Sequence, residues 1–228
     1  VGVDVGIAQF LTTSTNRAYG SFHGKMARAH KRDRAKRRRK AKLRACLEKK
    51  GVPREQLPST SSASGQRLSR QVKQEINRAV NELLKDHPDA RLIYEELSVA
   101  SMRFHARCMN AYLYASQLGH IPKQLAWAAA KRGMAAHTVR AAYSSQECPA
   151  AITWIAQSAQ PENLSVRGLW YEDHADHKAA VTLAGRWGDR ELAACRDKKE
   201  VKALLMRRHE AWKKHQSQRI ELLVLLSN

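Results

Sequence analysis

The amino-acid sequence predicts an α/β fold in which a mixed sheet carries helices on its faces. Three strand-like segments occupy residues 1–22, and two later apolar segments, at 91–94 and 138–143, have the length of single strands. Helical patterns separate and follow them, so the predicted order of elements is β-β-β-α-α-β-α-α-β-α. This succession of strands and helices fits a mixed sheet with helices packed on both sides.

The opening segment, Val-Gly-Val-Asp-Val-Gly, has the two-residue period of a β-strand. Its valines are expected to bury one face, which leaves Asp4 projecting from the other face. The glycines beside Asp4 are expected to leave space for an ion or a phosphate. Residues 10–15 and 18–22 predict the next two strands, joined by a turn at 15–17, so that the chain begins with three antiparallel strands.

Residues 25–50 predict a strongly basic helix with only a thin apolar stripe. Burial in a core cannot stabilise such a helix along its full length, whereas contacts with phosphates would neutralise its self-repulsion. A solvated helix face or a localisation signal is the alternative interpretation. The residues predicted to contact nucleic acid are Lys31, Arg32, Arg34, Lys36, Arg37, Arg38, Arg39, Lys40, Lys42 and Arg44.

Residues 51–66 are rich in serine, proline and glycine, and they predict a loop. The next segment has apolar residues at helical spacing and predicts a long helix that ends near 86–88. Its apolar stripe consists of Leu68, Val72, Ile76, Val80 and Leu83. The strand predicted at 91–94 then places Glu95 at its carboxyl end.

The rest of the chain is predicted to be mainly helical. Helices are expected at 105–117 and 122–132, before the strand at 138–143. Residues 144–172 show no regular period and predict an irregular segment. Helices at 177–185 and 200–225 are expected to close the chain.

Composition restricts the possible partners of the protein. The 228-residue chain carries a formal net charge of +20 and has an isoelectric point near 10.3, which predicts nucleic acid or an anionic membrane as partner. No apolar segment approaches the roughly 20 residues that span a bilayer, so membrane insertion is not expected. The four cysteines follow no disulfide framework, which predicts reduced thiols in a cytoplasm.

Three acidic residues stand in motifs that suit a shared metal site, namely Asp4, Glu95 and Asp176. Magnesium is a hard cation that prefers carboxylate oxygens, and two such ions promote phosphodiester hydrolysis. Glu96 competes with Glu95, because neighbouring side chains on a strand point to opposite faces and only one of them can join the site. Strand periodicity alone does not choose between them.

Four motifs in order resemble those of TnpB, a family of transposon-encoded RNA-guided nucleases related to the compact type V CRISPR effectors. They are Val-Gly-Val-Asp-Val-Gly, Tyr-Glu-Glu-Leu-Ser-Val, Ala-Tyr-Ser-Ser-Gln-Glu-Cys-Pro and Asp-His-Ala-Asp-His-Lys-Ala-Ala. The resemblance implies a ribonuclease H-like (RuvC) domain that cuts DNA with two magnesium ions held by Asp4, Glu95 and Asp176. It also implies guide RNA and target DNA as partners and a bacterial cytoplasmic, nucleoid-associated location, and it favours Glu95 over Glu96.

The resemblance also predicts the division of the chain into domains. Residues 1–143 and 174–228 are expected to form the RuvC-like domain, with a basic helical insertion at 25–87. Residues 144–173 are expected to form a small irregular insertion in the position of a zinc ribbon. Gln146 in that segment is a candidate contact for the nucleic-acid strand, and hydrogen bonding within the loop is the alternative role. The family's guide-gripping and target-recognition domains are expected to lie upstream of this chain.

The sequence departs from the family pattern at the zinc ribbon. Of the two Cys-x-x-Cys pairs only Cys148 is present, and Ala151, Val166 and Leu169 occupy the other expected positions. Because one thiolate cannot form a four-ligand structural zinc site, no zinc is predicted, and apolar packing replaces it. A substitute set remains an alternative, and it consists of Cys148, His174 and His177.

A second departure is Lys178, which stands where the family usually has asparagine. It lies about 200° around a helix from Asp176, so it is expected to be an exposed lysine that points away from the site. If it reached the site instead, its ammonium group would compete with magnesium and weaken cleavage. The predicted function is therefore RNA-guided DNA cleavage, and the alternative is guided DNA binding with little or no cleavage.

Overall fold

The computed structural model describes residues 1–59, 63–97, 99, 102, 104–148, 153–154 and 175–226. The strands are β1 (Gly2–Val5), β2 (Leu11–Thr13), β3 (Ala18–Tyr19), β4 (Leu92–Glu95), β5 (Ala136–Val139), β6 (Glu147–Cys148) and β7 (Thr153–Trp154). The helices are α1 (Lys25–Lys49), α2 (Ala63–Asp86), α3 (Arg107–Ser116), α4 (His120–Lys131), α5 (Ala175–Gly185), α6 (Arg190–Ala194) and α7 (Lys198–Leu226).

The main sheet has five strands in the order β3-β2-β1-β4-β5. β2 is antiparallel to both β1 and β3, whereas β4 is parallel to β1 and β5 is parallel to β4. The sheet is therefore mixed, and helices α2, α4 and α5 pack on it. This arrangement confirms the predicted α/β class.

β1 shows the predicted alternation, with Val3 and Val5 buried in the core. The expectation that both glycines leave space for a ligand is wrong at Gly2. A Cβ atom there would collide with the carbonyl oxygen of Ala180 and would lie 2.8 Å from the backbone nitrogen of Ala184. Position 2 requires glycine because the backbone of α5 packs directly against β1.

Gly2→Ala is expected to destabilise the protein, because the clash involves backbone atoms that cannot rotate away. The loss in the free energy of unfolding should lie at or above the upper end of the ~1–3 kcal/mol that overpacking costs. Urea unfolding followed by circular dichroism would measure it. Gly185→Ala is the matched control, since no atom lies within 4 Å of a Cβ built there. Equal stabilities of the two variants would contradict the close packing of α5.

The β2–β3 hairpin turns where the sequence predicted it. Asn16 has a φ of 59°, the left-handed conformation that asparagine tolerates, and the N–H of Thr13 donates to the carbonyl of Arg17 at 2.8 Å. Both strands are shorter than predicted. Phe10 and Phe22 are completely buried.

The predicted stripe of α2 is fully buried, which confirms the helix, although it begins a few residues earlier than expected. α1 differs, since Asp33 is the only buried residue among its 25 residues, all of which the structure describes. The first turns of α1 are attached to the core by Met26 and Ala29, and by His30, which packs edge-on against the ring of Phe22. The rest of α1 therefore depends little on burial, as its thin apolar stripe predicted.

β5 begins and ends earlier than the predicted strand at 138–143. Its register pairs Leu92 with Ala136 and Glu95 with Val139, so the ladder ends with β4. The carbonyl groups of Arg140 and Ala142 then turn to the guanidinium group of Arg186 instead of a neighbouring strand. A contact distant in sequence thus ends the strand.

The C-terminal region contains one element that the sequence analysis missed. The short helix α6 begins at a cap in which the Asp189 carboxylate accepts the N–H of Leu192 at 3.0 Å. With α7 it forms a second apolar cluster. α5 and α7 each begin two residues earlier than predicted. The cluster contains Leu192, Cys195, Val201, Leu204 and Leu205.

The predicted insertion at 144–173 is described only in part. β6 and β7 pair as a small antiparallel ladder. The prediction that Val166 and Leu169 pack in place of zinc concerns residues outside the described part of the chain, and so does the role of His174. Within the described residues, no helix is long and apolar enough to cross a membrane.

Candidate metal-dependent nuclease site

Asp4 and Glu95 lie side by side on the parallel strands β1 and β4. The register pairs Gly2 with Ile93 and Val3 with Tyr94, so Asp4 and Glu95 follow at the next position. Glu95 is 8% exposed, whereas its neighbour Glu96 is exposed to solvent. The structure therefore places Glu95, and not Glu96, beside Asp4.

Asp176 approaches the pair from the first turn of α5. This helix packs across β1, β2 and β4, and the contact at Gly2 fixes its height above the sheet. His177 adds a polar link to the sheet, with its Nε2 atom 3.2 Å from the carbonyl oxygen of Ser14. The third carboxylate thus reaches the site on a helix, while the first two are carried by strands.

The charges of Glu95 and Asp176 both act on Asp4. Burial raises the pKa of Asp4 well above its usual value, and the charges of Glu95 and Asp176 raise it further. Burial likewise raises the pKa of Glu95 to about 7. The backbone N–H of Val5 hydrogen-bonds both Asp4 and Glu95 and partly offsets each shift. Mutual repulsion of this kind is relieved by a bound cation.

The donor set has the chemistry that magnesium requires, since all three groups are carboxylates and Asp4 is coupled to both of the others. The three carboxylates do not form a complete set of metal ligands. Across the described residues, no three His, Cys, Asp or Glu side chains form a group that could hold a metal ion. The residues therefore fit magnesium by donor type and electrostatic coupling, without a closed three-ligand cage.

Without metal, the stability contributed by Glu95 is expected to fall as pH rises. Its folded pKa of about 7 exceeds the ordinary 4.5, so the contribution is fully present below pH 4.5 and is lost as pH rises through about 7. The shift corresponds to a change on the order of 3 kcal/mol. Urea unfolding in a chelator at several pH values would measure this change.

The matched comparison for this experiment is Glu95→Gln. Burial lowers the pKa of several histidines, including His30 and His120, and these groups gain stability as pH rises over part of the same range. The difference between the wild-type and Glu95→Gln profiles isolates the carboxyl group. Parallel profiles would show that Glu95 has an ordinary pKa in the folded protein.

The expectation that Lys178 is exposed is wrong, because its side chain is completely buried. Helix geometry still places it about 200° around α5 from Asp176. α5 also contacts the 3-10 turn at Ser144–Gln146. Lys178 is thus buried on the side of α5 that helix geometry places away from Asp176.

A buried ion pair that sequence analysis did not find supports the neighbouring segment. Arg186 donates from Nη2 to the Glu147 carboxylate at 2.7 Å and from Nε to the same oxygen at 2.9 Å. It also donates to the carbonyl groups of Arg140 and Ala142. The partners are 39 residues apart in sequence, so no local pattern could indicate the pair. Arg186 thereby holds the segment 140–147 against the C-terminal end of α5.

The basic helix α1 presents most of its charge to solvent. Eight of the ten predicted contact residues are exposed, and Arg34 and Arg44 are half-buried. Two of the ten form ion pairs within the helix, Arg37 with Asp33 at 2.7 Å and Arg44 with Glu48 at 3.1 Å. α1 is therefore an accessible cationic surface. Gln146 is half-buried, and its backbone N–H donates to the backbone carbonyl of Tyr143 at 2.9 Å.

Comparison with known proteins gives matches among solved structures only. No protein-family model matches the chain, and no curated protein matches it significantly. A cryo-EM structure of a Cas12f1-sgRNA-target DNA complex matches with a TM-score of 0.53 and 15% identity, over 80% of this chain and 48% of that chain.

Two further solved structures match over shorter parts of this chain. CasPhi-2 (Cas12j) bound to crRNA and phosphorothioate-DNA has a TM-score of 0.43 and 16% identity, and the mini-RNA-guided endonuclease CRISPR-Cas_phi3 has 0.42 and 21%. Each match covers 55% of this chain and 20% of the other. The chain spans about half the length of the Cas12f1 protein, and the likeness establishes that it shares the fold of that half.

Proposed function

We propose that this chain is the RuvC-like nuclease portion of an RNA-guided DNA endonuclease. The observation that carries the proposal is that the half-buried Asp4 lies beside the buried Glu95 on adjacent parallel strands, with the charge of Asp176 on α5 acting on Asp4. The mixed sheet that carries them supports a ribonuclease H-like fold. The likeness to Cas12f1, which was solved with its guide RNA and target DNA, supports the same class of activity.

In this proposal Asp4, Glu95 and Asp176 hold the divalent ions. The chemistry that two bound magnesium ions supply is activation of the attacking water and stabilisation of the leaving oxygen. The protein's own part is to hold Asp4 and Glu95 in a partly buried site, where their raised pKa values favour either protonation or a bound cation. The fixed contact between α5 and Gly2 keeps Asp176 above them.

The exposed face of α1 is the proposed binding surface for guide RNA or its heteroduplex with DNA. In such complexes base pairing reads the sequence, while the protein contacts the backbone through charge and shape. The excess of +20 charges and the exposure of eight basic side chains on α1 support this role. TnpB-like ancestry accounts for the order of the four sequence motifs.

The test of this function is magnesium-dependent cleavage of a guided target. The full-length protein would be purified with the RNA transcribed beside its gene, and the bound RNA would be sequenced to define the guide. A matching DNA target should then be cut with magnesium and remain intact with a chelator. A protein that binds no specific RNA, or that cuts equally without a guide, would refute the proposal.

The second candidate function is guided DNA binding with weak or no cleavage. It is favoured by one observation, that the described residues form no closed metal-binding cluster of three. Under this reading the target is bound in a guide-dependent manner but stays uncut at saturating magnesium. A binding assay and a cleavage assay on the same guided target separate the two functions.

A further inference from the structure

A cavity of about 690 Å³ opens directly beside Glu95. Its size lies within the roughly 300–1,000 Å³ that is usual for small-ligand sites. The residues that matter for its chemistry come from three parts of the fold: Glu95, Met102, Phe104, Arg140, Tyr143 and Lys198. The cavity therefore joins the carboxylate site to two aromatic side chains.

Phe104 is exposed, yet its main chain is firmly held. Its N–H donates to the Oδ1 atom of Asn110 at 2.7 Å, and its carbonyl accepts from the Nδ2 atom of Asn110 at 2.8 Å. Asn110 lies in the first turn of α3. The side chain of Phe104 is 43% exposed, so core burial does not explain why it is held. The two hydrogen bonds present an aromatic side chain to the cavity in a defined place.

The facing wall is fixed as well. Tyr143 has a φ of 64°, a left-handed conformation that costs free energy for an aromatic residue and that clusters at functional sites. Arg186 holds this conformation by binding the carbonyl groups of Arg140 and Ala142 on one side and Glu147 on the other. The ring of Tyr143 packs against the apolar cluster of α6 and α7.

The charges around the cavity are of both signs. Arg140 and Lys198 supply positive charge, whereas Glu96 and Asp197 supply negative charge on the same lining. A highly charged ligand alone would not match such a lining. A nucleotide does match it. Its aromatic base can stack on an aromatic side chain, while its phosphate lies near the cations and the carboxylate site.

We propose that Phe104 is a stacking platform for an unpaired nucleobase of the strand whose phosphate lies at Asp4, Glu95 and Asp176. This inference rests on the proposed nuclease function and adds to it a residue that contacts the substrate. Every base has an aromatic face, so the contact tolerates any sequence. A base paired within a duplex is not available to stack, so the cavity selects single-stranded substrate next to the scissile bond.

The test uses 2-aminopurine, a fluorescent base that is quenched when it stacks, at each position near the cleavage point of a single strand. Asp4→Asn is present in every protein of this series, so that the strand stays intact. The protein with Asp4→Asn alone, the parent of the series, should quench the probe at one or two positions. Adding Phe104→Leu should remove the quenching and weaken binding roughly tenfold. Adding Phe104→Trp should restore both, because the aromatic face returns.

Two further variants complete the experiment. Trp127→Ala is the matched control, since Trp127 is 59% exposed on α4 and does not line the cavity, and it should leave the quenching unchanged. Asn110→Ala should reduce the quenching while Phe104 remains present, because it removes both hydrogen bonds to the Phe104 main chain.

The outcomes separate this inference from the proposed function. If the wild-type protein cuts its guided target with magnesium while Phe104→Leu gives the parent's quenching and affinity, the stacking role is wrong and the nuclease stands. Equal quenching of a fully paired duplex would also overturn the stacking role. If the wild-type protein neither binds nor cuts nucleic acid, the proposed function fails and the stacking role fails with it.

Discussion

Asp4→Asn is expected to reduce magnesium-dependent cleavage of a guided target by roughly 10³-fold or more, the size of loss seen when a group essential to the chemistry is removed. Asparagine keeps the shape of the side chain but loses the charge that would hold a cation. Asp4 is the carboxylate whose pKa responds to both of the others, so it is the centre of the coupled set. Single-turnover cleavage rates would measure the effect.

Stability provides an internal control for Asp4→Asn. Because repulsion from Glu95 and Asp176 acts on Asp4, the neutral variant should be at least as stable as the wild-type protein in a chelator at neutral pH. Asp89→Asn is the matched substitution at an exposed position and should leave the rate unchanged. Cleavage by Asp4→Asn at the wild-type rate would refute the assignment of the site, whatever the stability.

Arg186→Met is expected to lower the free energy of unfolding by roughly 3–5 kcal/mol, the usual result of removing one partner of a buried ion pair. The substitution leaves the Glu147 carboxylate without its partner at 3% side-chain exposure and removes the donor for two carbonyl groups. Methionine has a similar length, so the effect reports lost charge and hydrogen bonds more than lost volume. Urea unfolding would measure it.

The matched control is Arg207→Met, because Arg207 pairs with Glu191 at the surface, with side chains 70% and 60% exposed. Exposed ion pairs contribute at most about 1 kcal/mol, so this variant should be nearly as stable as the wild-type protein. Adding Glu147→Gln to Arg186→Met should recover part of the loss, since no charge is then left buried alone. Equal losses for Arg186→Met and Arg207→Met would show that the buried pair is not structural.

The parts of the fold that were predictable are those with local periodicity. The alternation in β1 and the stripe of α2 record burial directly, because one face of each element meets the core. The end of β5 and the existence of α6 were not predictable. Both depend on groups far away in sequence: Arg186 turns the chain after Val139, and Arg208 binds the capping Asp189 at 2.6 Å.

The candidate site was predictable in its residue types but not in its geometry. Strand alternation could not choose between Glu95 and Glu96, and the parallel register with β1 made the choice. The exposure of Lys178 was predicted wrongly, because lysine is rarely buried and helix geometry gives a direction without revealing what covers it. The hydrogen bonds between Asn110 and Phe104 had no sequence signal, since nothing in the spacing marks an amide that binds a main chain.

The contact between Gly2 and α5 has a consequence for sequence variation among proteins with this fold. No side chain can enter where the backbones of β1 and α5 meet, so a larger residue at position 2 would require the helix to move outward together with Asp176. Homologues that keep glycine there should preserve the spacing between the helical and strand carboxylates. Homologues with a larger residue there should carry α5, and with it the helical carboxylate, farther from the sheet.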